Sequence, residues 1–415
     1  MTDGDAGEHD RTVPADLAAG AGSESTRSRG LGAIRDGLAR GGSLFIQLFD
    51  RRSTANRRLT IGVGLVVGAA CLLGIPEQIA AFYAGNDIEL PLRAAARWAA
   101  GGEAYPASAI LIAKGPDLPY LYPPFLLPLL APIAALPRDV VTAAWLILCA
   151  ACAVWTCRWL AMPWRVIPFV LAWPPFAEGL IVGNVQIICF AAFVALVYER
   201  GDTSLRPRSF DRARDAANGL LAAVVGVFKF TQVLPGLYLA RRRLRAAVIG
   251  AAAVLLVAAV MLPLTGVAIY GDWLAQLARA GDPSWVAAGV APNRIFGIPN
   301  TLLLAVGAVI ALAARGRDAV AWLGIALIVA TPSAHAYTFL FLLPGLMTIR
   351  RDMAILLATL FLGVYHGIAW WTASALVAYL LLAGRRWSWL RAPELNSGDP
   401  GAGPPALDRV PGVPS

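Results

Sequence analysis

Residues 246–264 read AAVIGAAAVLLVAAVMLPL, and the run Arg241-Arg242-Arg243 comes directly before them, followed by Arg245. About 20 apolar residues in a helix cross the ~30 Å hydrocarbon core of a bilayer. Basic residues beside a span favour the cytosolic side. This stretch therefore predicts a membrane-spanning helix that runs outward from the cytosol.

The composition extends this prediction to the whole chain. Of the 415 residues, 58% are hydrophobic and 15% are charged, and the mean hydropathy is +0.63. Soluble domains carry about 25% charged residues. Because the apolar runs are continuous, they predict an all-α, polytopic membrane bundle of about 10–12 membrane segments.

Several of these segments are too short or too proline-rich for an ordinary span, and we expect them to be broken or re-entrant. The outermost parts of the chain, 1–56 and 394–415, are predicted disordered cytosolic tails that flank a transmembrane domain over 57–393. We expect an external catalytic loop at 80–119, a re-entrant segment at 120–137 and a pair of half-helices over 218–240. The other predicted segments are 59–79, 140–160, 166–182, 184–199, 246–264, 296–314, 319–333, 336–349, 353–366 and 368–384.

The net charge of +9 does not indicate nucleic-acid binding. Nearly all of the basic residues are arginines spread through short loops, which is typical of topology determinants in membrane proteins. The five cysteines all lie inside apolar segments, where they are predicted small buried hydrophobes. No loop carries a metal-like cluster, so no metal site is expected.

Asp87 is the leading candidate for chemistry. It follows the first apolar segment and precedes a helix predicted over 91–100, with Pro91 in its first turn. A carboxylate held at a membrane surface costs solvation energy, which favours a functional role such as proton abstraction from a sugar hydroxyl. The alternative is a structural one, in which Asp87 pairs with Arg93 or caps a turn.

Two further residues sit where membrane segments break. Lys229 lies between Phe228 and Phe230, where a buried ammonium either pairs with an acid or binds a lipid phosphate. Tyr122 precedes Pro123-Pro124 and forms either a rigid membrane entry or a wall beside a sugar.

Four polar residues at predicted outer boundaries complete the candidate set. Asn184 and Gln186 either hydrogen-bond sugar hydroxyls or bridge helices. His335 is either packed at the interface or part of the site on the side of Asp87. Glu178 is a second carboxylate, and two acids would also suit a hydrolase if they lie at the right separation.

The order of these motifs resembles glycosyltransferase family 87, over about residues 59–385. The resemblance rests on the Asp87 loop, Tyr122-Pro123-Pro124, Gly183-Asn184-Val185-Gln186, the Lys229 segment and Thr331-Pro332-Ser333-Ala334-His335. The family often has Gly-Gln-x-Asn and a His-His pair. Here the polar pair is inverted, and His335 stands alone.

The resemblance implies a helical bundle of the GT-C type that transfers mannose from polyprenyl-phosphate-mannose. The acceptor would be a glycolipid or lipoglycan, such as a phosphatidylinositol mannoside or lipomannan, at the extracytoplasmic face of a bacterial plasma membrane. It implies Asp87 as the catalytic base and His335 as a helper.

No cofactor or metal is expected in this reaction, because positively charged side chains would stabilise the leaving group. A lipid-phosphate leaving group needs positive charge rather than a proton, which suits Lys229, Arg93, Arg97 and Arg294. The alternative function is a lipid or solute transporter or a flippase, which would use the same broken helices.

Overall fold

Helices make up nearly all of the regular structure. This computed structural model of the protein describes residues 84–106, 120–197, 208–229, 233–280, 289–349, 351–362 and 367–386, with Gly62, Leu65, Val66, Ala69 and Leu73. Of these residues 81% are helical, and none of them forms a strand. The all-α prediction is confirmed. The predicted tails at 1–56 and 394–415, most of the segment at 59–79, and Lys114 and His366 lie outside the described residues.

Sixteen α-helices are described in the chain. In order they are α1 Asn86–Ala99, α2 Leu127–Ala134, α3 Arg138–Trp159, α4 Ile167–Leu171, α5 Pro174–Val182, α6 Gln186–Val197, α7 Arg208–Phe228, α8 Leu234–Arg242, α9 Leu244–Thr265, α10 Ala268–Ala280, α11 Pro292–Phe296, α12 Asn300–Ala313, α13 Ala319–Val329, α14 Leu343–Thr348, α15 Arg351–Thr359 and α16 Gly367–Arg386. Short 3₁₀ helices cover Pro124–Leu126, Gly316–Asp318 and Ala336–Leu342.

Three of the described helices are long and apolar enough to cross a membrane: Arg138–Trp159, Leu244–Thr265 and Gly367–Gly384. Shorter apolar helices cover Pro124–Ala134, Gln186–Val197, Asn300–Ala313, Ala319–Val329 and Ala336–Thr348. At 1.5 Å per residue, a helix over Pro124–Ala134 reaches only about 16 Å. The short-segment prediction for 120–137 agrees with this length.

Two predicted segments differ from the structure. Residues 166–182 form two helices rather than one, because Trp173 is extended (ψ 131°) before Pro174 and a proline disfavours the helical conformation of the residue before it. The first half-helix of the predicted pair begins at Arg208, within the predicted cytosolic loop, and not near 218. The break itself falls after Phe228, next to Lys229, as predicted.

Helices α7 and α9 cross at two glycines. A Cβ on Gly219 would lie 2.6 Å from the Ala246 carbonyl oxygen, and one on Gly250 would lie 2.8 Å from the Gly219 oxygen. Only hydrogen side chains let the two backbones approach this closely. The crossing fixes α7, which ends beside Lys229.

A cluster of phenylalanines joins α5 and α6 to the 3₁₀ helix Ala336–Leu342. The ring centroid of Phe341 lies 5.4 Å from that of Phe190 and 5.2 Å from that of Phe193, and Phe176 is 6.0 Å from Phe190. All four rings are fully buried. Edge-to-face packing of this kind holds the segment after His335 against the helices that carry Glu178 and Gln186.

Candidate active site

Asp87 lies in the first turn of α1, whereas the sequence predicts that it precedes the helix. The helix begins at Asn86 and not at Pro91, which lies inside it. Gly85 precedes it in the left-handed conformation (φ 74°), and Asp87 and Glu89 place negative charge in the first turn. Acidic groups there interact favourably with the positive end of the helix dipole, so these residues extend α1 beyond Pro91.

A close backbone contact brings this turn to the start of α6. The N–H of Gly85 donates to the carbonyl of Ile181 at 2.9 Å. A Cβ on Gly85 would overlap with Cγ2 of Thr142, and one on Gly183 would lie 3.5 Å from the Gly85 Cα. Both glycines have positive φ, so neither position favours a larger residue. The contact sets the distance between Asp87 and Asn184.

Asn184 joins the two elements through its side chain. Its Nδ2 donates a hydrogen bond to Oδ2 of Asp87, and its Oδ1 accepts one from the backbone N–H of Gln186 at 2.8 Å. The Gly183 carbonyl accepts a hydrogen bond from Trp145 Nε1 at 2.7 Å. The turn with Asn184 and Gln186, which the sequence analysis proposed from its polar residues, is therefore hydrogen-bonded to the Asp87 carboxylate.

Lys229 reaches the same place from the end of α7. Its ammonium acts electrostatically on Asp87, and its Nζ lies 5.5 Å from the centroid of the Tyr337 ring. Tyr337 stacks on His335 with ring centroids 5.4 Å apart. Tyr337 also interacts electrostatically with Asp87, so this ring lies near Lys229, His335 and the carboxylate.

Burial sets the protonation of the carboxylate. Desolvation raises the pKa of Asp87 above its ordinary value, while the hydrogen bond from Asn184, the charge of Lys229 and a hydrogen bond from Asn86 oppose this shift. Burial is the largest of these effects, because water is replaced by a medium that solvates a charge poorly. A raised pKa suits a general base that must hold a proton after it takes one.

Tyr122 is positioned through its neighbours' side chains. The Tyr105 hydroxyl donates to the Tyr122 carbonyl at 2.7 Å, and Trp273 Nε1 donates to the Leu121 carbonyl at 3.0 Å. The Tyr122 ring meets Phe228 edge-on with centroids 6.5 Å apart, and it lies within electrostatic reach of Asp87. Because the carbonyls of Leu121 and Tyr122 both accept hydrogen bonds, the backbone here is fixed, and it holds the Tyr122 ring near the Asp87 carboxylate.

Glu178 lies on α5, near Asp87, and its carboxylate accepts a hydrogen bond from the backbone N–H of Ala336. This bond ties α5 to the segment that carries His335. Gln186 is 3% exposed, and its Oε1 has no hydrogen-bond partner among the described residues. A buried acceptor without a partner is costly unless a ligand or water completes it.

The segment around Gly289 packs against His335 and the residue before it. The Val290 N–H donates to the Ala334 carbonyl at 2.8 Å, and a Cβ on Gly289 would lie 3.1 Å from His335 Cε1. The Arg294 side chain is exposed, and its Nη1 donates a hydrogen bond to the Gly289 carbonyl at 3.2 Å. Gly289 thus contacts both Arg294 and His335.

The two arginines of α1 are arranged differently. Arg93 pairs with Glu89 at 3.1 Å, and Arg138 forms a second ion pair with the same carboxylate. Arg93, rather than reaching Asp87, therefore shares an acid on another face of α1. Arg97 lies one turn further along that face, and its buried Nε has no hydrogen-bond partner in the part of the chain that the structure describes.

Sequence reasoning missed three contributors. Sequence reasoning gave Tyr337 no role, although its ring lies beside both Lys229 and His335. Gly85 and Trp145 were given no role, since the close contact and the indole hydrogen bond join segments far apart in sequence. The aromatic residue two positions after His335 was the one available signal. Across the described ranges, no group of three or more His, Cys, Asp or Glu side chains could hold a metal ion.

Comparison with known proteins gives one match. Residues 120–332 match glycosyltransferase family 87, which covers half of the chain. No curated protein and no solved structure matches it. The matched range includes Tyr122, Asn184 and Lys229, while Asp87 precedes it and His335 follows it. With its helical, membrane-spanning architecture, the chain belongs to glycosyltransferase family 87 and is a membrane glycosyltransferase.

Proposed function

We propose that the chain transfers mannose from polyprenyl-phosphate-mannose to a hydroxyl of a glycolipid or lipoglycan, with Asp87 as general base. The observation that carries this proposal is the meeting of the half-buried Asp87 carboxylate with the Lys229 ammonium, which different segments supply. Transfer from a lipid phosphate needs these two groups: a base for the acceptor and a cation for the leaving phosphate.

The reaction follows as a direct displacement. The acceptor hydroxyl attacks C1 of the sugar as its proton passes to the Asp87 carboxylate, and the bond from C1 to the phosphate oxygen breaks. The phosphate leaves with the bonding electrons as an anion, so it requires no acid. Attack from the face opposite the leaving group inverts the configuration at C1.

The phosphate side of the site is assigned to Lys229 and Arg294. Lys229 borders Asp87, and Arg294 lies beside His335 through Gly289. His335 lies between these cations, where its ring would contact the phosphate or the sugar. Arg93 and Arg97 remain candidates for the donor phosphate but lie on a separate face of α1, with Arg93 paired to Glu89.

The sugar and the acceptor are assigned to the polar groups that surround the carboxylate. Tyr122 supplies a fixed ring, Gln186 a free buried acceptor and Glu178 a second carboxylate near Asp87. Hydroxyl-rich ligands are bound by such combinations of a ring and hydrogen-bonding groups.

An extracytoplasmic site at a bacterial plasma membrane is supported by the geometry of α7. Lys229 follows the last residue of this helix. Asp215, 14 residues before Lys229, pairs with Arg243 at 3.1 Å, so about 21 Å of helix separates this basic cluster from Lys229. Because arginine-rich ends favour the cytosol, we assign Asp87 and Lys229 to the side that faces away from Arg243.

The test is transfer by the purified protein in lipid nanodiscs. Radiolabelled polyprenyl-phosphate-mannose is supplied with a panel of phosphatidylinositol mannosides and lipomannan, and polyprenyl-phosphate-arabinose competes as the alternative donor. We expect mannosylated lipid from the wild type and none above background from Asp87→Asn.

The matched control is Glu103→Gln, which removes an exposed carboxylate from the same segment and should leave transfer unchanged. Normal turnover by Asp87→Asn would rule out the base assignment. Movement of labelled lipid across sealed vesicles, without formation of a new glycoside, would favour a transporter or flippase instead.

A further inference from the structure

The carboxamide of Asn184 has a single orientation that satisfies its neighbours. Its Oδ1 accepts from the Gln186 backbone N–H at 2.8 Å, and its Nδ2 donates to Asp87. Rotation of the amide by 180° would set oxygen against a carboxylate and an NH₂ group against an N–H. The neighbours therefore fix which end of the amide faces Asp87.

The residue is also held rigidly before any substrate arrives. Asn184 is 4% exposed, and its backbone N–H donates to the Gly179 carbonyl at 2.8 Å. Gly183 before it turns the chain at φ 67°, with its carbonyl bound by Trp145. A side chain fixed in this way orients its partner without loss of further entropy on binding.

We infer that Asn184 is a positioning residue: it orients the Asp87 carboxylate and keeps it ionised, rather than serving mainly as a contact for sugar hydroxyls. This inference rests on the proposed function. A carboxylate in a poorly solvating site needs donors that stabilise its charge. In the proposed reaction Lys229 is drawn toward the donor phosphate, and the neutral Asn184 N–H stays with the base.

Other charged and polar groups also interact with the Asp87 carboxylate. Lys229 favours its ionised form, while the Glu178 carboxyl on α5 interacts with it electrostatically. Tyr122 and Tyr337 border it as neutral phenols, and Asn86 on its own helix donates a second hydrogen bond. Because Glu178 is coupled to Asp87, an acidic limb in the activity profile belongs to the pair.

The decisive variant is Asn184→Asp, which separates the two bonds of the side chain. Aspartate can still accept from the Gln186 N–H, so the turn before α6 is kept. It presents oxygen instead of N–H to Asp87. We expect the acidic limb of kcat/KM to move upward by about one to three pH units. At neutral pH, kcat should fall at least about tenfold with KM for both substrates little changed.

A second variant keeps the test valid if Asn184→Asp does not fold. Asn184→Ser retains an acceptor for the Gln186 N–H but is too short to reach Asp87 and adds no charge. Its acidic limb should also move upward, by less than that of Asn184→Asp. Repeating each measurement in the Glu178→Gln background should leave the upward direction unchanged, which separates Asp87 from its neighbour.

The outcomes are distinct. A raised KM with an unmoved pH profile would make Asn184 a substrate contact, and wild-type kinetics would make it a turn former only; either result overturns the inference. Asp87→Asn is assayed in parallel. If that variant is inactive, such results overturn the role of Asn184 alone, whereas an active Asp87→Asn overturns the proposed function and this inference with it.

Discussion

Gly85 and Gly183 meet backbone to backbone, with a Cβ on Gly183 only 3.5 Å from the Cα of Gly85. Each glycine stands beside a polar residue of the site, Asn86-Asp87 in one case and Asn184 in the other. The hydrogen bond from Asn184 to Asp87 spans this contact. The separation of the two backbones therefore controls the position of the Asp87 carboxylate relative to Asn184.

We predict that Gly85→Ala disables the enzyme through sterics. A left-handed conformation costs a non-glycine residue roughly 1–2 kcal/mol, and the new Cβ would also overlap with Thr142. The matched control is Gly101→Ala, which has φ 78° but open space around its Cβ. Thermal unfolding and transfer should show a modest loss of stability for Gly101→Ala with activity kept, and a larger loss with little activity for Gly85→Ala. Equal effects of both substitutions would contradict this account.

Lys229 should act mainly on the leaving phosphate. Loss of one donor that stabilises developing negative charge costs about 100- to 1000-fold in kcat, and we expect a loss of this order for Lys229→Gln. Lys229→Arg keeps the charge and should retain measurable transfer. The measurement is steady-state kinetics with varied donor.

The control for Lys229 is Arg165→Gln, which removes an exposed cation from the loop between α3 and α4. It should leave both kinetic constants unchanged. A Lys229→Gln enzyme with full kcat would show that the phosphate leaves without this ammonium.

Tyr337 should act through its ring and not through its hydroxyl. An ammonium over an aromatic face is worth about 0.5–2 kcal/mol, roughly 2- to 30-fold, and Lys229 is 5.5 Å from the ring centroid. Tyr337→Leu should therefore raise KM for the donor by a factor in that range, while Tyr337→Phe should resemble the wild type. Similar defects in both variants would point to the hydroxyl instead.

The pKa of Asp87 links activity and stability to pH with opposite signs. Burial raises this pKa. On acidification, transfer should therefore be lost at a higher pH than it would be with a carboxyl of ordinary pKa. The folded state binds the proton more tightly than the unfolded state does. The fold should therefore lose stability as the pH rises from the unfolded-state pKa through the raised one.

Asp87→Asn removes this titration. Its melting temperature in nanodiscs should match or exceed that of the wild type at neutral pH, and the difference should vanish in acid. If the variant melts at a lower temperature than the wild type at neutral pH, burial of the ionised Asp87 carboxylate does not destabilise the fold.

The crossing of α7 and α9 gives a prediction about stability alone. Gly219→Ala would press a methyl group against the Ala246 carbonyl and should destabilise the fold by about 1–3 kcal/mol. Gly226→Ala, in the same helix with nothing within 4 Å of its Cβ, should stabilise it by up to about 1 kcal/mol. Unfolding in mixed micelles with increasing denaturing detergent measures both, and the same sign for the two variants would argue against a tight crossing.

Sequence reasoning succeeded where the physics is local. Apolar run length identifies the helices long enough to cross a membrane, and the polar break after Phe228 places Lys229 between α7 and α8. Sequence reasoning put the start of α1 at Pro91 because proline favours a first turn, but the contacts around Gly85 extend the helix to Asn86. It missed that Arg93 pairs with Glu89, because the helix predicted from Pro91 did not include Glu89 one turn before Arg93.

By itself, the sequence determined an all-helical membrane protein and the identities of the polar residues that interrupt its segments, since the length of an apolar run and the conformation of proline depend on near neighbours. Only the tertiary structure decided that Asp87 meets Asn184, Lys229 and Tyr337. Those distances are set by how separate helices pack, and that packing depends on the two glycine contacts and the buried phenylalanines, whose partners lie far away along the chain.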